Sequence, residues 1–212
     1  MKRILATAAL ALTATPALAH HPLGGLPMET FAHGLLSGVG HPVLGFDHLF
    51  FVVAMGIAAA FTGHALRAPL AYIAAMLGGC ALMVAGVAMP AQEALIVLSL
   101  LAVGGVVLSG RALSLAPALV LFAGFGLFHG SAFGASVAGQ EGGLSGAVFA
   151  GYLIGLAAIQ YAIAIAAGYA VRAIAPAAAS VNARLAGAMV AGVGAFLALE
   201  MAEGPIVALL AS

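Results

Sequence analysis

From Val43 onward the chain is a succession of six apolar runs, each of about 20 residues, the length that crosses the hydrocarbon core of a bilayer. They lie at Val43 to Thr62, Pro69 to Met89, Glu93 to Gly110, Leu115 to Val137, Leu144 to Val171 and Leu185 to Glu203. With 65% hydrophobic and 6% charged residues and a mean hydropathy of +1.23, a chain of 212 residues lacks the polar surface of a soluble domain. The expected fold is all-α, a polytopic membrane bundle of six transmembrane helices in the lipid bilayer. A net charge of zero with no run of like charges leaves nothing to hold nucleic acid or an acidic macromolecule. No glycine loop followed by Lys and Ser or Thr is present to hold a nucleotide. The single cysteine, Cys80, excludes an internal disulfide, a paired-cysteine redox centre and a thiolate zinc site.

The first 19 residues have the pattern of a cleaved signal peptide. Lys2 and Arg3 are basic, Ile4 to Thr15 is apolar, and Pro16-Ala17-Leu18-Ala19 ends in an Ala-x-Ala cleavage pattern. The mature domain is then 20–212, with 20–42 a periplasmic or interfacial lead-in whose segment from Met28 to Gly40 forms an interfacial or re-entrant helix. Cleavage after Ala19 puts His20 and His21 at the mature terminus, where they either chelate a metal together with the new amino group or are simply solvated. A periplasmic N-terminus assigns Arg67, Arg111, Arg172 and Arg184 to cytoplasmic loops and Glu93 and Glu141 to outer ones. This matches the positive-inside bias and predicts the inner membrane of a bacterium.

Gly126, Gly130 and Gly134 are spaced by four in the fourth run, as are Gly151 and Gly155 in the fifth, a spacing that lets helix backbones approach closely. His129, beside that first stripe, is expected to face a neighbouring helix. Three spans followed by three give two halves of opposite orientation, a possible 3+3 inverted repeat. Gly45-Phe46-Asp47-His48 and Gly126-Leu127-Phe128-His129 would then occupy corresponding places, where transporters with inverted repeats hold their cargo.

The chemistry concentrates in Gly40-His41-Pro42-Val43-Leu44-Gly45-Phe46-Asp47-His48. A carboxylate near the middle of a membrane helix costs roughly 2.5 to 3.5 kcal/mol on insertion scales, so one found at a span is a functional candidate with a partner to be identified. On a regular helix His41 and His48 would share a face about 10 Å apart, and Asp47 would point about 100° away from His48. Either the helix breaks among Gly40, Pro42 and Gly45, or His41 is an outer relay and Asp47 with His48 an inner site completed by another helix; the second is preferred. Imidazole with carboxylate and no thiolate suits nickel, copper(II), iron or zinc rather than copper(I) or an iron–sulfur cluster.

The run His-Pro-x-x-Gly-x-Asp-His at 41–48, a histidine-rich mature start and Phe128-His129-Gly130 resemble the HupE/UreJ family of nickel permeases associated with hydrogenase and urease maturation. The second family motif reads Phe-His-Gly-x-Ala/Val-His-Gly-x-Glu; here Phe133 stands at its second histidine and Ser136 at its glutamate. The resemblance implies that His41, Asp47, His48 and His129 handle the metal. Glu200, beside Glu203 and ahead of a helix break at Gly204-Pro205, either replaces the missing carboxylate or is an interfacial residue. Gln160 reads as an interhelical hydrogen-bond donor rather than a ligand, Met55 as packing, and His33 and His64 as solvated.

The resulting expectation is no enzyme but a permease for a divalent ion, most simply nickel with cobalt or zinc as alternatives, carried from periplasm to cytoplasm with no tightly bound cofactor. Oligomerisation is compatible with it. Two readings stand beside it: a membrane haem or electron carrier using paired histidines, and an accessory subunit that does not transport.

Overall fold

A computed structural model describes residues 27–139 and 143–210, so the signal sequence, His20, His21 and Glu141 lie outside the described residues. Within them the fold is helical and contains no strand. The helices are α1 (Phe31–Leu44), α2 (Phe46–Ala60), α3 (Ala68–Val84), α4 (Gln92–Ser109), α5 (Leu115–Ala138), α6 (Gly146–Ile174) and α7 (Val181–Leu210). α4, α5, α6 and α7 are each long and apolar enough to cross a membrane, and α1 with α2 adds a fifth candidate if the bent pair counts as one span. α3 is apolar but has only 17 residues. Large apolar side chains such as Val120, Ile154, Phe196 and Leu199 are exposed on the outside of the bundle, the distribution expected where lipid rather than water is the solvent.

The lead-in and the first run join differently from the sequence expectation. They form two helices, bent by 80° at Gly45, with the break after the histidine-proline pair and Pro42 inside α1. Gly45 takes an extended conformation (φ −81°, ψ 99°) that ends one helical ladder and starts the next. Its lack of a side chain matters for space: a Cβ would stand 3.0 Å from His48 Cδ2 and 3.3 Å from Asp47 Oδ1. The break anticipated at Gly204-Pro205 does not occur, and α7 runs through both residues to Leu210. Proline's fixed φ is helical, so it costs the ladder the bond its missing N–H would have made without forcing the chain to turn.

α2 is the axis of the bundle. Val52, and every residue from Ala54 to Ala60, is buried, and Phe51 and Met55 are fully enclosed. Around it, α1 lies along α6, α3 along α5, and α4 along α7. Each pair closes on glycine. A Cβ on Gly130 would collide with the Met76 carbonyl of α3, one on Gly34 with the Val148 carbonyl of α6, and one on Gly187 with the backbone of α4 at Leu108. With lipid outside, such backbone-close packing replaces the hydrophobic drive that holds a soluble bundle. Gly130→Ala is therefore expected to destabilise the detergent-solubilised protein by about 1–3 kcal/mol, the usual cost of overpacking. Gly105→Ala, where no atom lies within 4 Å, serves as the control and leaves the melting temperature unchanged or slightly raised. Equal melting temperatures for the two variants would contradict this packing.

The bundle is also charged asymmetrically. Asp47, at the start of α2, shares a groove with Glu93 and Glu200. Beyond the other end of α2, Arg172 stacks over Phe61 at 5.5 Å, Arg111 neighbours Phe61 and Ala178, and Arg184 Nε donates to the Leu108 carbonyl at 3.0 Å.

Candidate metal site

The bend at Gly45 sets the site. It turns the end of α1 back over the start of α2, so the ring centroids of His41 and His48 are 5.9 Å apart, far closer than a continuous helix would allow. Asp47 and His48 occupy the first turn of α2, and their side chains converge, with Asp47 Oδ2 3.9 Å from His48 Nε2. The Asp47 side chain is 34% exposed and that of His48 only 6%, so one faces the groove and the other the interior. The groove, about 680 Å³ and half open, is lined by Asp47, Glu93 and Glu200 among apolar side chains of α2, α4 and α7.

The glycine stripe that docks α5 on α3 leaves His129 pointing at α2. His129 is fully buried, and its Nδ1 lies 2.8 Å from His48 Nδ1, a hydrogen bond between residues 81 apart in sequence. On its far side His129 Nε2 is 2.9 Å from Ser99 Oγ of α4, and the Ser99 hydroxyl donates to the Ile96 carbonyl at 2.6 Å. Phe51 stacks on the His129 ring at 4.3 Å, and Tyr72 approaches it edge-on at 6.0 Å. The Tyr72 hydroxyl in turn donates to Gln160 Oε1, whose amide Nε2 donates to the Leu156 carbonyl at 3.2 Å. Gln160 thus bonds across helices, and Met55 is core packing, in line with their reading from sequence.

His41 belongs to a second, outer cluster. Its Nδ1 is 3.2 Å from both Ser136 Oγ and Tyr152 OH, and both hydroxyls donate to the Phe133 carbonyl, at 2.8 and 3.1 Å. The Phe133 ring packs beside both clusters, which meet where the His41 ring stands edge-on to that of His48. It lies 5.1 Å from the His41 ring and 4.3 Å from the His48 ring, and is fully buried. Among the described residues no three His, Cys, Asp or Glu side chains converge closely enough to hold an ion by themselves. The predicted four instead make a chain of pairwise contacts: Asp47 beside His48, His48 bonded to His129, and the His41 ring edge-on to that of His48. Glu200 is exposed on the groove wall. His33 works as a local cap, accepting at Nδ1 from the Glu29 N–H at 3.2 Å, and His64 stays beside Thr62 in the turn after α2.

A model of the family described as HupE / UreJ protein matches residues 8–197, nearly the whole of the chain. The chain belongs to the HupE/UreJ family. Protein HupE of Rhizobium leguminosarum bv. viciae is 33% identical to it over 136 residues, which cover 63% of this chain and 69% of that relative. No solved structure matches the chain. HupE/UreJ proteins are membrane permeases and accessory proteins associated with nickel or cobalt transport, not enzymes.

Membership in the HupE/UreJ family makes the two substituted motif positions informative. Phe133 and Ser136 both point into the clusters just described, Phe133 against the rings of both His41 and His48 and Ser136 onto His41. Four contributors do not stand out in the reading of the sequence: Ser99, Tyr152, Phe51 and Tyr72. Phe51 follows His48 by three and so shares its helical face. Ser99 is a lone polar group in the middle of an otherwise apolar run, the signal that picks out functional residues at membrane depth, whereas Tyr152 shares its run with Gln160, Tyr161 and Tyr169 and does not stand out.

Proposed function

We propose that this HupE/UreJ protein is a six-span inner-membrane permease that carries a divalent transition-metal ion, nickel by preference, from periplasm to cytoplasm. One observation carries the reading: a carboxylate open to a groove stands next to a buried chain of two histidines drawn from opposite halves of the sequence. Asp47 Oδ2 and His48 Nε2 are 3.9 Å apart, about half an ångström wider than two ligands held about 2 Å from one tetrahedral ion, so a small side-chain rotation would let both reach the same cation. The groove carboxylates Glu93 and Glu200 would draw a hydrated cation toward Asp47, which exchanges water for carboxylate and imidazole. His129 supports His48 and is the next nitrogen inward. Beyond it Phe51, Tyr72 and the enclosed part of α2 close the way, so passage requires α2 to shift between two packings. With no nucleotide site in the sequence, the driving force is the electrochemical gradient or metal trapping inside.

The six spans consist of the bent pair, α3 and the four long helices, with the mature N-terminus and the carboxylate end periplasmic and the arginine end cytoplasmic. The haem alternative is less well supported, because two axial nitrogens need an iron and a macrocycle between them, whereas these two are within hydrogen-bond distance at 2.8 Å. The test is uptake of radioactive nickel by cells lacking their own nickel transporters, with and without this chain, in competition with cobalt and zinc. In the same cells a membrane-impermeant thiol reagent should label a cysteine at position 141 and spare one at 111. Uptake no greater than in empty cells would defeat the permease reading and leave the accessory role; reversed labelling would defeat the direction.

A further inference from the structure

We infer that Ser99 is a positioning residue that fixes the tautomers of His129 and His48 so that His48 presents an unprotonated Nε2 to Asp47. The inference rests on the reading of Asp47 and His48 as the cation site and concerns how that site is kept ready.

The chain of protons runs from α4 to α2. A serine hydroxyl has one proton, and that of Ser99 goes to the Ile96 carbonyl, the shorter of its two contacts at 2.6 Å. Its oxygen can then only accept from His129, so the 2.9 Å contact is His129 Nε2–H donating to Ser99 Oγ. A neutral imidazole carries one N–H, which leaves His129 Nδ1 as an acceptor. The 2.8 Å contact is therefore His48 Nδ1–H donating to His129 Nδ1. His48, its one proton committed to that bond, turns a lone pair at Nε2 toward the Asp47 carboxylate 3.9 Å away. If Ser99 donated to His129 instead, each step would invert: His129 would donate from Nδ1, His48 would accept there, and its Nε2 would carry the proton and repel a cation.

Burial gives the direction its force. Ser99 and His129 are fully buried, so at that end of the chain burial keeps out the bulk water that would relay a proton and exchange one tautomer for the other. Metal-binding histidines are commonly oriented by a partner on their second nitrogen; here that partner is another histidine, and its own orientation is set one helix further away. The Ile96 carbonyl lies one turn back on the helix that carries Ser99, so α4 supplies both the hydroxyl and the acceptor that fixes its direction.

The test is magic-angle-spinning NMR of the full-length protein in bilayers, labelled with nitrogen-15 only in histidine, without metal. The parent should show His129 protonated at Nε2 and His48 at Nδ1, assigned by the signals lost in His48→Ala and His129→Ala. Ser99→Ala should convert a substantial share of both rings to the opposite tautomer and weaken nickel binding by about tenfold, the lower end of the range for an outer-shell partner. Ser99→Thr, which keeps the hydroxyl, should restore both. A parent already protonated at His129 Nδ1 would overturn the inference even if no variant folds. Ser99→Ala with unchanged tautomers would do so as well. Tautomers that behave as stated in a protein that takes up no nickel would leave this inference standing and defeat the transport reading; uptake that depends on Asp47 with unmoved tautomers would do the reverse.

Discussion

Asp47→Asn is expected to abolish nickel uptake while the protein remains in the membrane at parental levels. The substitution keeps the shape of the side chain and removes its charge, and the side chain is 34% exposed to the groove rather than packed in the core, so folding should tolerate it. What it removes is the anionic half of the pair with His48, and with it both the attraction for a cation and an oxygen ligand. A fall in uptake of about a hundredfold or more is expected, since even outer-shell partners of a metal site are worth 10–100-fold. His48→Ala should abolish uptake equally but at a cost in stability. It deletes the hydrogen-bonding partner of the fully buried His129 Nδ1, and an unsatisfied buried polar group costs about 1–3 kcal/mol. The two variants thus share one phenotype in uptake and differ in melting temperature. Normal uptake by both would mean that the 41–48 motif is a structural corner, built around Gly45, and not a cation site.

The features legible in the sequence are those with a short-range cause. Apolar runs of span length give helices because a bilayer leaves the backbone no other way to pair its polar groups. Glycines four apart give seams, and the stripe at Gly126, Gly130 and Gly134 meets α3 where the spacing requires it. That His129 faces a neighbouring helix follows from its place beside that stripe. Which histidine it meets does not follow, because the 2.8 Å contact with His48 joins residues 81 apart and depends on how α2, α3 and α5 pack together. The sequence offers a helix break in this segment only as the less favoured alternative to an outer relay at His41, yet the chain does break there, at Gly45. Gly40, Pro42 and Gly45 all weaken a helix locally, and at Gly45 a Cβ would crowd His48 Cδ2 at 3.0 Å and Asp47 Oδ1 at 3.3 Å, a contact that exists only once the chain has turned there. The error at Gly204-Pro205 has the same origin in reverse, since a local breaker there meets no packing that would use a turn. Ser99 was overlooked because one serine in an apolar run carries little weight until its neighbour across the helix pair is known.

Phe133→His together with Ser136→Glu is expected to raise nickel affinity by at least about tenfold, or about 1.4 kcal/mol, because each change puts a donor where two clusters now meet without one. The Phe133 ring is in contact with both His41 and His48, at 5.1 and 4.3 Å between centroids, so an imidazole in its place would join the outer histidine to the inner pair. The smaller ring fits the space, and its nitrogens have neighbouring rings to bond with in the absence of metal. Ser136 is exposed and within 3.2 Å of His41 Nδ1, so a longer carboxylate has room to extend and a histidine to reach. Tyr152, bonded to the same His41 nitrogen, would become the outer partner that orients it. Without metal the double variant should be less stable than the parent, since an apolar ring in a buried contact has been exchanged for a polar one. With nickel it should gain more in melting temperature than the parent does, because an ion that binds only the folded protein stabilises it in proportion to its affinity. Isothermal titration with nickel, cobalt and zinc, beside thermal melts with and without each metal, reads both effects. An unchanged nickel affinity would mean that cation binding ends at Asp47 and His48 and that the positions of Phe133 and Ser136 contribute no ligand to the site.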